Sequence, residues 1–186
     1  MNRIHQRLCS SDKWALRVRN ELIPWALKDV DLGSDVLELG PGYGATTRVL
    51  ADRLPRLTAL EVDPQLAERL TGEVKGTEIV TGDGTAMPFD DERYSGVVCF
   101  IMLHHVPSED LQDRLFNEVH RVLRPGGTFA GSDSRLSLRF RLLHLFDTMV
   151  AVDPDTLGDR LAAAGFIDVK VKEGGRVFRF SACKPE

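Results

Sequence analysis

The stretch Val36-Leu37-Glu38-Leu39-Gly40-Pro41-Gly42-Tyr43-Gly44-Ala45-Thr46-Thr47 decides how the rest of the chain is read. Val36, Leu37 and Leu39 make a short apolar run of the kind that forms a buried strand. Gly40, Gly42 and Gly44 turn the chain, and residues 46–54 carry helical spacing that Pro55 ends. A strand feeding a helix through glycines brings backbone N–H groups against a ligand with no side chain in the way. Twenty-one residues beyond Gly40, after a second strand-like run over 57–60, stands Glu61. A carboxylate about twenty residues on accepts from both hydroxyls of a ribose, so the pair points to a nucleoside-bearing ligand. The glycines run G-x-G-x-G, with Ala45 at the third position of the dinucleotide fingerprint. Dinucleotide binding therefore stays open as the second choice.

A chain of 186 residues with 42% hydrophobic residues is expected to form one domain with a full core. No apolar run approaches the roughly twenty residues that span a bilayer, so stable membrane insertion is not expected. The first seven residues lack an apolar signal core, which points to a cytoplasmic protein. Cys9, Cys99 and Cys183 are odd in number and unpatterned in spacing. They read as reduced thiols, with no disulfide frame and no metal site. The net charge of −4 argues against a nucleic-acid partner, whose phosphates call for a basic surface.

Helical and strand patterns alternate along the whole chain. Residues 12–30 carry Trp14, Val18, Leu22 and Trp25 at helical spacing, which predicts one or two helices before the first strand. Asp63 and Pro64 form an N-cap and first helical residue for a helix through Leu66 and Leu70. A third strand is predicted over 78–80 and a fourth, apolar nearly throughout, over 96–102. Ser108 opens a helix with Leu111, Leu115, Val119 and Val122 on one side. Arg124-Pro125-Gly126-Gly127 then turns the chain into a fifth strand over 128–130. Asp153-Pro154 starts a helix that Gly165 stops. Ile167, Val169 and Val171 alternate with Asp168, Lys170 and Lys172. Gly174-Gly175 then reverses the chain into residues 177–183, an antiparallel hairpin.

Five stretches, in order, resemble the class I S-adenosylmethionine-dependent methyltransferases, of the compact type-11 kind related to enzymes of quinone biosynthesis. They are residues 37–44, Leu60-Glu61-Val62-Asp63, residues 82–89, the run over 97–106 ending Leu103-His104-His105-Val106, and Val122-Leu123-Arg124-Pro125-Gly126-Gly127. The resemblance covers almost everything from residue 34 onward, leaving residues 1–33 as a helical cap on a cofactor domain over 34–186. It implies an α/β, Rossmann-like sheet in the order 3-2-1-4-5-7-6. That sheet is mostly parallel with one antiparallel strand and has helices on both faces. It also implies S-adenosyl-L-methionine as cofactor and methyl transfer to a small-molecule acceptor.

By the same resemblance, Glu38 and the backbone at Gly40 meet the amine end of the cofactor, and Gly42 and Gly44 lie along its ribose and carboxylate. Glu61 takes the ribose diol, with Val62 on the adenine face. Asp83 accepts from the adenine amino group, and the Gly84 and Thr85 amides reach the ring nitrogens. Phe100 lies by the methionine portion. For Asp83 a turn carboxylate is the alternative reading, and for Phe100 plain core. The family usually has Asp just before the fourth strand, where this chain has Ser95, a mainly structural position.

Methyl transfer from a sulfonium depends chiefly on alignment, and a base is needed only where the acceptor must lose a proton. His104 is the expected pocket histidine, with His105 capping backbone or filling core and a structural role for both as the alternative. Asp133 is a second candidate acid, with turn capping as its alternative. Residues 134–152 interleave Arg135, Arg139, Arg141 and His144 with leucines and phenylalanines. As a helix this segment is apolar on more than one face. It is expected either to be buried on both sides, or to wall an apolar acceptor pocket with Trp14 and Trp25, or to touch a membrane surface. Cys99-Phe100-Ile101-Met102 is not the Asn/Asp-Pro-Pro-aromatic motif of adenine-methylating enzymes, and Cys99 inside an apolar strand is no nucleophile. A nicotinamide oxidoreductase would call for a Tyr-x-x-x-Lys pair or a second catalytic domain. A non-catalytic cofactor-binding module is the alternative from another class.

Overall fold

The computed structural model describes residues 3–137 and 149–186. Strands β1 (Asp35–Leu39), β2 (Arg56–Glu61), β3 (Thr77–Thr81), β4 (Tyr94–Phe100), β5 (Leu123–Ser134), β6 (Ile167–Gly174) and β7 (Val177–Cys183) form one sheet. Its order is β3-β2-β1-β4-β5-β7-β6, as the resemblance implies. Neighbours among the first five strands run parallel, and β7 is antiparallel to both β5 and β6. The helices are α1 (Arg3–Cys9), α2 (Asp12–Arg17), α3 (Ile23–Ala26), α4 (Ala45–Ala51), α5 (Pro64–Glu73), α6 (Glu109–Val122) and α7 (Pro154–Ala163). A π-helical stretch, Val18–Leu22, joins α2 to α3, and a 3-10 turn, Leu103–His105, follows β4.

Each central strand feeds two cores, because successive side chains point to opposite faces. Leu37, Leu39, Val97, Cys99 and Phe129 join Phe116, Val119, Leu157 and Leu161 from α6 and α7. Val36, Val98, Phe100 and Ala130 join Val18, Leu22, Ile23, Val49 and Leu50 from the N-terminal helices and α4. The predicted caps hold: the side chains of Asp63, Ser108 and Asp153 accept from the first free N–H groups of α5, α6 and α7. Ser95 takes its structural place by accepting from the Asp35 N–H at 2.9 Å and bonding the Leu32 carbonyl at 2.8 Å.

Four boundaries differ from the sequence expectation. Strand β4 ends at Phe100, not Met102, because Ile101 adopts a left-handed φ of +54° and turns the chain. Strand β5 begins at Leu123, which pairs with Tyr94, and the Arg-Pro-Gly-Gly turn becomes an irregularity within it before Thr128 pairs with Gly96. The alternation in β6 is broken by Asp168 at φ +52°, with the register slipping between Ile167 and Lys170. Val169 and Val171 still pack on the core, but Ile167 is 47% exposed. Before β1 the chain is more finely divided than one or two helices.

Candidate functional site

The sheet order reverses between β1 and β4, which lie side by side with Leu39 opposite Cys99. In an open α/β sheet the crevice at the carboxyl ends of such a strand pair is where ligands bind. The glycine turn sits there, and its three glycines have different tasks. The Gly40 N–H donates to the Leu60 carbonyl at 2.9 Å, and a Cβ there would crowd Met102 at 3.0 Å. At Gly44, the N-cap of α4 with φ +75°, a Cβ would collide with Leu70 of α5. Gly42 also has positive φ, +57°, yet nothing among the described residues lies within 4 Å of a Cβ built on it. Gly40 and Gly44 are thus required by the protein's own packing, while Gly42 borders open space. From outside, the turn is clamped at Tyr43, whose carbonyl accepts from Arg48 at 2.9 Å and whose ring lies under the Arg69 guanidinium. Both arginines pair with Glu73.

Glu38 ends its strand's inward row at 1% exposure. One carboxylate oxygen accepts from the Thr46 hydroxyl, and the other, Oε2, is buried with no hydrogen-bond partner among the described residues. Burial pushes its pKa up to about 7 against the pull of the Thr46 and Thr47 hydroxyls, with the Glu61 charge adding to the rise. Glu61, 5% exposed at the end of β2, accepts from the Gly42 N–H at 2.8 Å and the Asp63 N–H at 3.0 Å. The ribose candidate and the glycine turn are therefore bonded directly to each other. Val62 beside it is 68% exposed. The Gly82 N–H donates to the Glu61 carbonyl at 3.0 Å, which hangs the 82–85 turn from the end of β2. In that turn Asp83 Oδ1 accepts from both the amide and the hydroxyl of Thr85, at 2.8 and 2.9 Å. The Thr85 amide is thus already engaged, and the turn reading of Asp83 describes this oxygen. Phe100 is 7% exposed and packs in the core beneath the N-terminal helices.

The two histidines differ in burial. His104 is the buried member, 0% exposed, and His105 the more accessible one. Asp133, also fully buried, accepts from the His104 backbone N–H at 3.0 Å, lies 2.6 Å from His104 Nδ1, and takes the Ser134 N–H. It is neither a pocket acid alone nor a turn cap alone, but the group that holds His104. Gln112 and Arg160, missed in the sequence, complete this corner. Gln112 of α6, fully buried, donates to the carbonyls of Leu103 and Val150 and accepts from Arg160 of α7. The signal was a glutamine among the apolar positions of α6, one residue from Leu111 and three from Leu115. Trp25 stacks under Arg179, and a Cβ at Gly174 would strike its ring. Trp25 thus reaches the β6–β7 hairpin, and both it and Trp14 pack on the core that holds Val18. Residues 138–148, the centre of the apolar-basic segment, lie outside the described residues.

Comparison with known proteins decides the family. The type-11 methyltransferase domain matches residues 37–131, the stretch that holds the glycine turn, Glu61, Asp83 and the histidines. The chain belongs to the class I S-adenosylmethionine-dependent methyltransferases. This methyltransferase is 35% identical over 114 residues to a fatty-acid O-methyltransferase of Mycolicibacterium smegmatis, covering 59% of this chain and 40% of that one. It is 32% identical over 141 residues to ribosomal RNA small subunit methyltransferase A of Bordetella pertussis, covering 64% and 52%. It thus spans about half or less of the length of these relatives. A solved S-adenosylmethionine-dependent methyltransferase from Thermotoga maritima superposes with a TM-score of 0.76 at 19% identity, over 93% of both chains, and shares the fold.

The site fits the methyl donor the family uses. Glu38 Oε2 is a buried acceptor in want of a donor, which an amino-acid ammonium supplies. Gly42 leaves room that a side chain would fill, and Glu61 presents a carboxylate at its edge. Among the described residues no helix is long and apolar enough to cross a membrane.

Proposed function

We propose that the protein transfers the methyl group of S-adenosylmethionine to a small, apolar acceptor. The observation that carries the cofactor end of this reading is the trio of Glu38, open Gly42 and Glu61. S-adenosylmethionine supplies an electrophilic methyl on a sulfonium, so the chain's task is to hold and align. Glu38 takes the ammonium of the methionine end, with Phe100 alongside. Glu61 keeps two N–H bonds to the protein and has lone pairs left for the ribose diol. Val62 covers the adenine face, and Asp83 with Gly84 and Thr85 borders its edge. Where the acceptor must lose a proton, His104 is the base. Asp133 on Nδ1 sets its ring and favours the tautomer with the basic nitrogen at Nε2.

The apolar acceptor is favoured by the likeness to a fatty-acid enzyme. The likeness to a ribosomal RNA enzyme favours RNA as a second reading, against which stands a sequence pI near 5.8. In calorimetry S-adenosylhomocysteine is expected to bind in the micromolar range and NAD not to bind. Glu61→Ala weakens binding by about 1–3 kcal/mol through loss of a charged acceptor. Equal binding of NAD, or an indifferent Glu61→Ala variant, overturns the cofactor site. Labelled methyl transfer is then screened over lipophilic metabolites, polar metabolites, peptides and RNA. Label in the RNA fraction alone replaces the first reading with the second, and cofactor binding without label anywhere supports a non-catalytic module.

A further inference from the structure

On the side of the sheet carrying the N-terminal helices, a groove of about 390 Å³ runs between residues 26–30 and strands β6 and β7. Lys28, Lys170, Lys172 and Arg179 line it against one carboxylate, Asp29. This concentration of positive charge occurs in a chain of net charge −4. None of the three lysine ammonium groups has a hydrogen bond or ion pair among the described residues. Glu173, next to Lys172, pairs with Arg135 at 3.0 Å and does not neutralise them. In the β6–β7 ladder Lys172 stands directly opposite Arg179, and Lys170 opposite Ser181. Like charges so placed destabilise a sheet. Asp29 at the groove holds a left-handed φ of +64°, uncommon for a residue with a side chain.

Arg179 is built into position. Its Nη1 donates to the carbonyls of Trp25 and Lys28 at 2.7 and 3.1 Å, and its guanidinium lies 5.7 Å from the centre of the Trp25 ring. The Nε and Nη2 hydrogens have no protein acceptor among the described residues. Lysines on an edge strand guard against sheet-to-sheet association, which accounts for Lys170 and Lys172 taken alone. It does not account for Lys28, from another part of the chain, or for Arg179 on β7, which is interior to the sheet. A strand pair that accepts repulsion across its ladder, around an arginine already oriented, fits a site that waits for an anion.

We propose that this groove binds the phosphate group of a small anionic ligand, with Arg179 as the oriented donor and Lys28, Lys170 and Lys172 around it. Arginine offers two parallel N–H bonds to a phosphate, and the lysines raise its local concentration. A soluble phosphate ester and a phospholipid headgroup share this chemistry, and the site is separate from the cofactor crevice.

The test uses the full chain, labelled for amide NMR and titrated with pyrophosphate. Amides at 28–30, 170–172 and 179–181 are expected to shift together with one saturating isotherm. The Lys170→Gln/Lys172→Gln double variant, which leaves Arg179 and its contacts in place, should weaken binding at least tenfold. Its affinity for S-adenosylhomocysteine should stay within twofold of the parent. A second arm sediments the protein with phosphatidylglycerol or phosphatidylcholine vesicles. Retention on the anionic vesicles alone, lost in the double variant, identifies a lipid headgroup as the source, and pyrophosphate binding without retention identifies a soluble ester. The proposal is overturned if neither probe engages these residues, or if the double variant binds both as the parent does.

Discussion

Glu38 is a carboxylate whose surroundings favour its proton until a cation arrives. Its pKa near 7 in the free chain lies above the ordinary carboxylate value because burial penalises the charge. The folded chain therefore holds a proton at this residue that the unfolded chain has released between about pH 4.5 and 7. Stability from this group is complete below that window and declines as pH rises through it. Thermal unfolding of the cofactor-free protein should thus shift to lower temperature from pH 5 to 8, and Glu38→Gln should flatten that contribution. Cofactor binding should release a proton near neutral pH, read as a dependence of the calorimetric heat on the buffer's ionisation enthalpy. A heat independent of buffer would show that Glu38 is already charged.

Asp133 supports a second prediction at this scale. It satisfies the His104 backbone N–H, stands against His104 Nδ1 and takes the Ser134 N–H. Asp133→Ala should destabilise the fold by about 1–3 kcal/mol in denaturant unfolding, the range for leaving buried N–H donors without an acceptor. His104→Ala should leave cofactor affinity within a few-fold. If the base role holds, it lowers turnover by about 10²–10⁴-fold, with a changed pH profile. A few-fold loss with the same profile would make His104 a wall residue.

Among the elements, the glycine turn offers a clean separation of fold from binding. Gly42→Ala meets no atom of the described residues and should cost only the strain of a left-handed residue, about 1–2 kcal/mol. Its Cβ enters the cradle, so cofactor affinity should fall by more than stability does. Gly44→Ala drives a Cβ into Leu70, so stability should fall first and farther. Equal effects from both would mean that the turn has no private role in binding. This difference between the glycines was not legible in the sequence, where all three read alike, since it depends on how α5 packs. The strand order, the caps at Asp63, Ser108 and Asp153, and the nearness of Glu61 to the turn were legible, because each rests on local spacing or ordered motifs. The end of β4, the bulge at Asp168 and the ties of Gln112 were not. They are decided by a single left-handed residue or by partners far along the chain. Deleting residues 1–15 tests the cap: the far-ultraviolet signature of the sheet should persist while methyl transfer is lost. Loss of the sheet itself would make the cap part of the core.

For the whole molecule, the two cores on opposite faces explain why so short a chain can leave a crevice open at one end of its sheet. Each face is closed by its own helices, and the carboxyl ends of β1, β2 and β4 are left to the turns. The last strand, β7, lies between β5 and β6 and not at the rim, with pairing from Thr128 opposite Cys183 to Ser134 opposite Val177. A nascent chain leaves the ribosome from its N-terminus, so β5 emerges well before the partner that closes it. Until residue 183 has been synthesised, the middle of this sheet is an open seam that any other strand could enter. A premature stop ahead of residue 177 should therefore give an insoluble product, where trimming a rim strand of equal length would be tolerated. Translation thus leaves that seam unpaired for the time it takes to make some fifty residues, from Ser134 to Cys183.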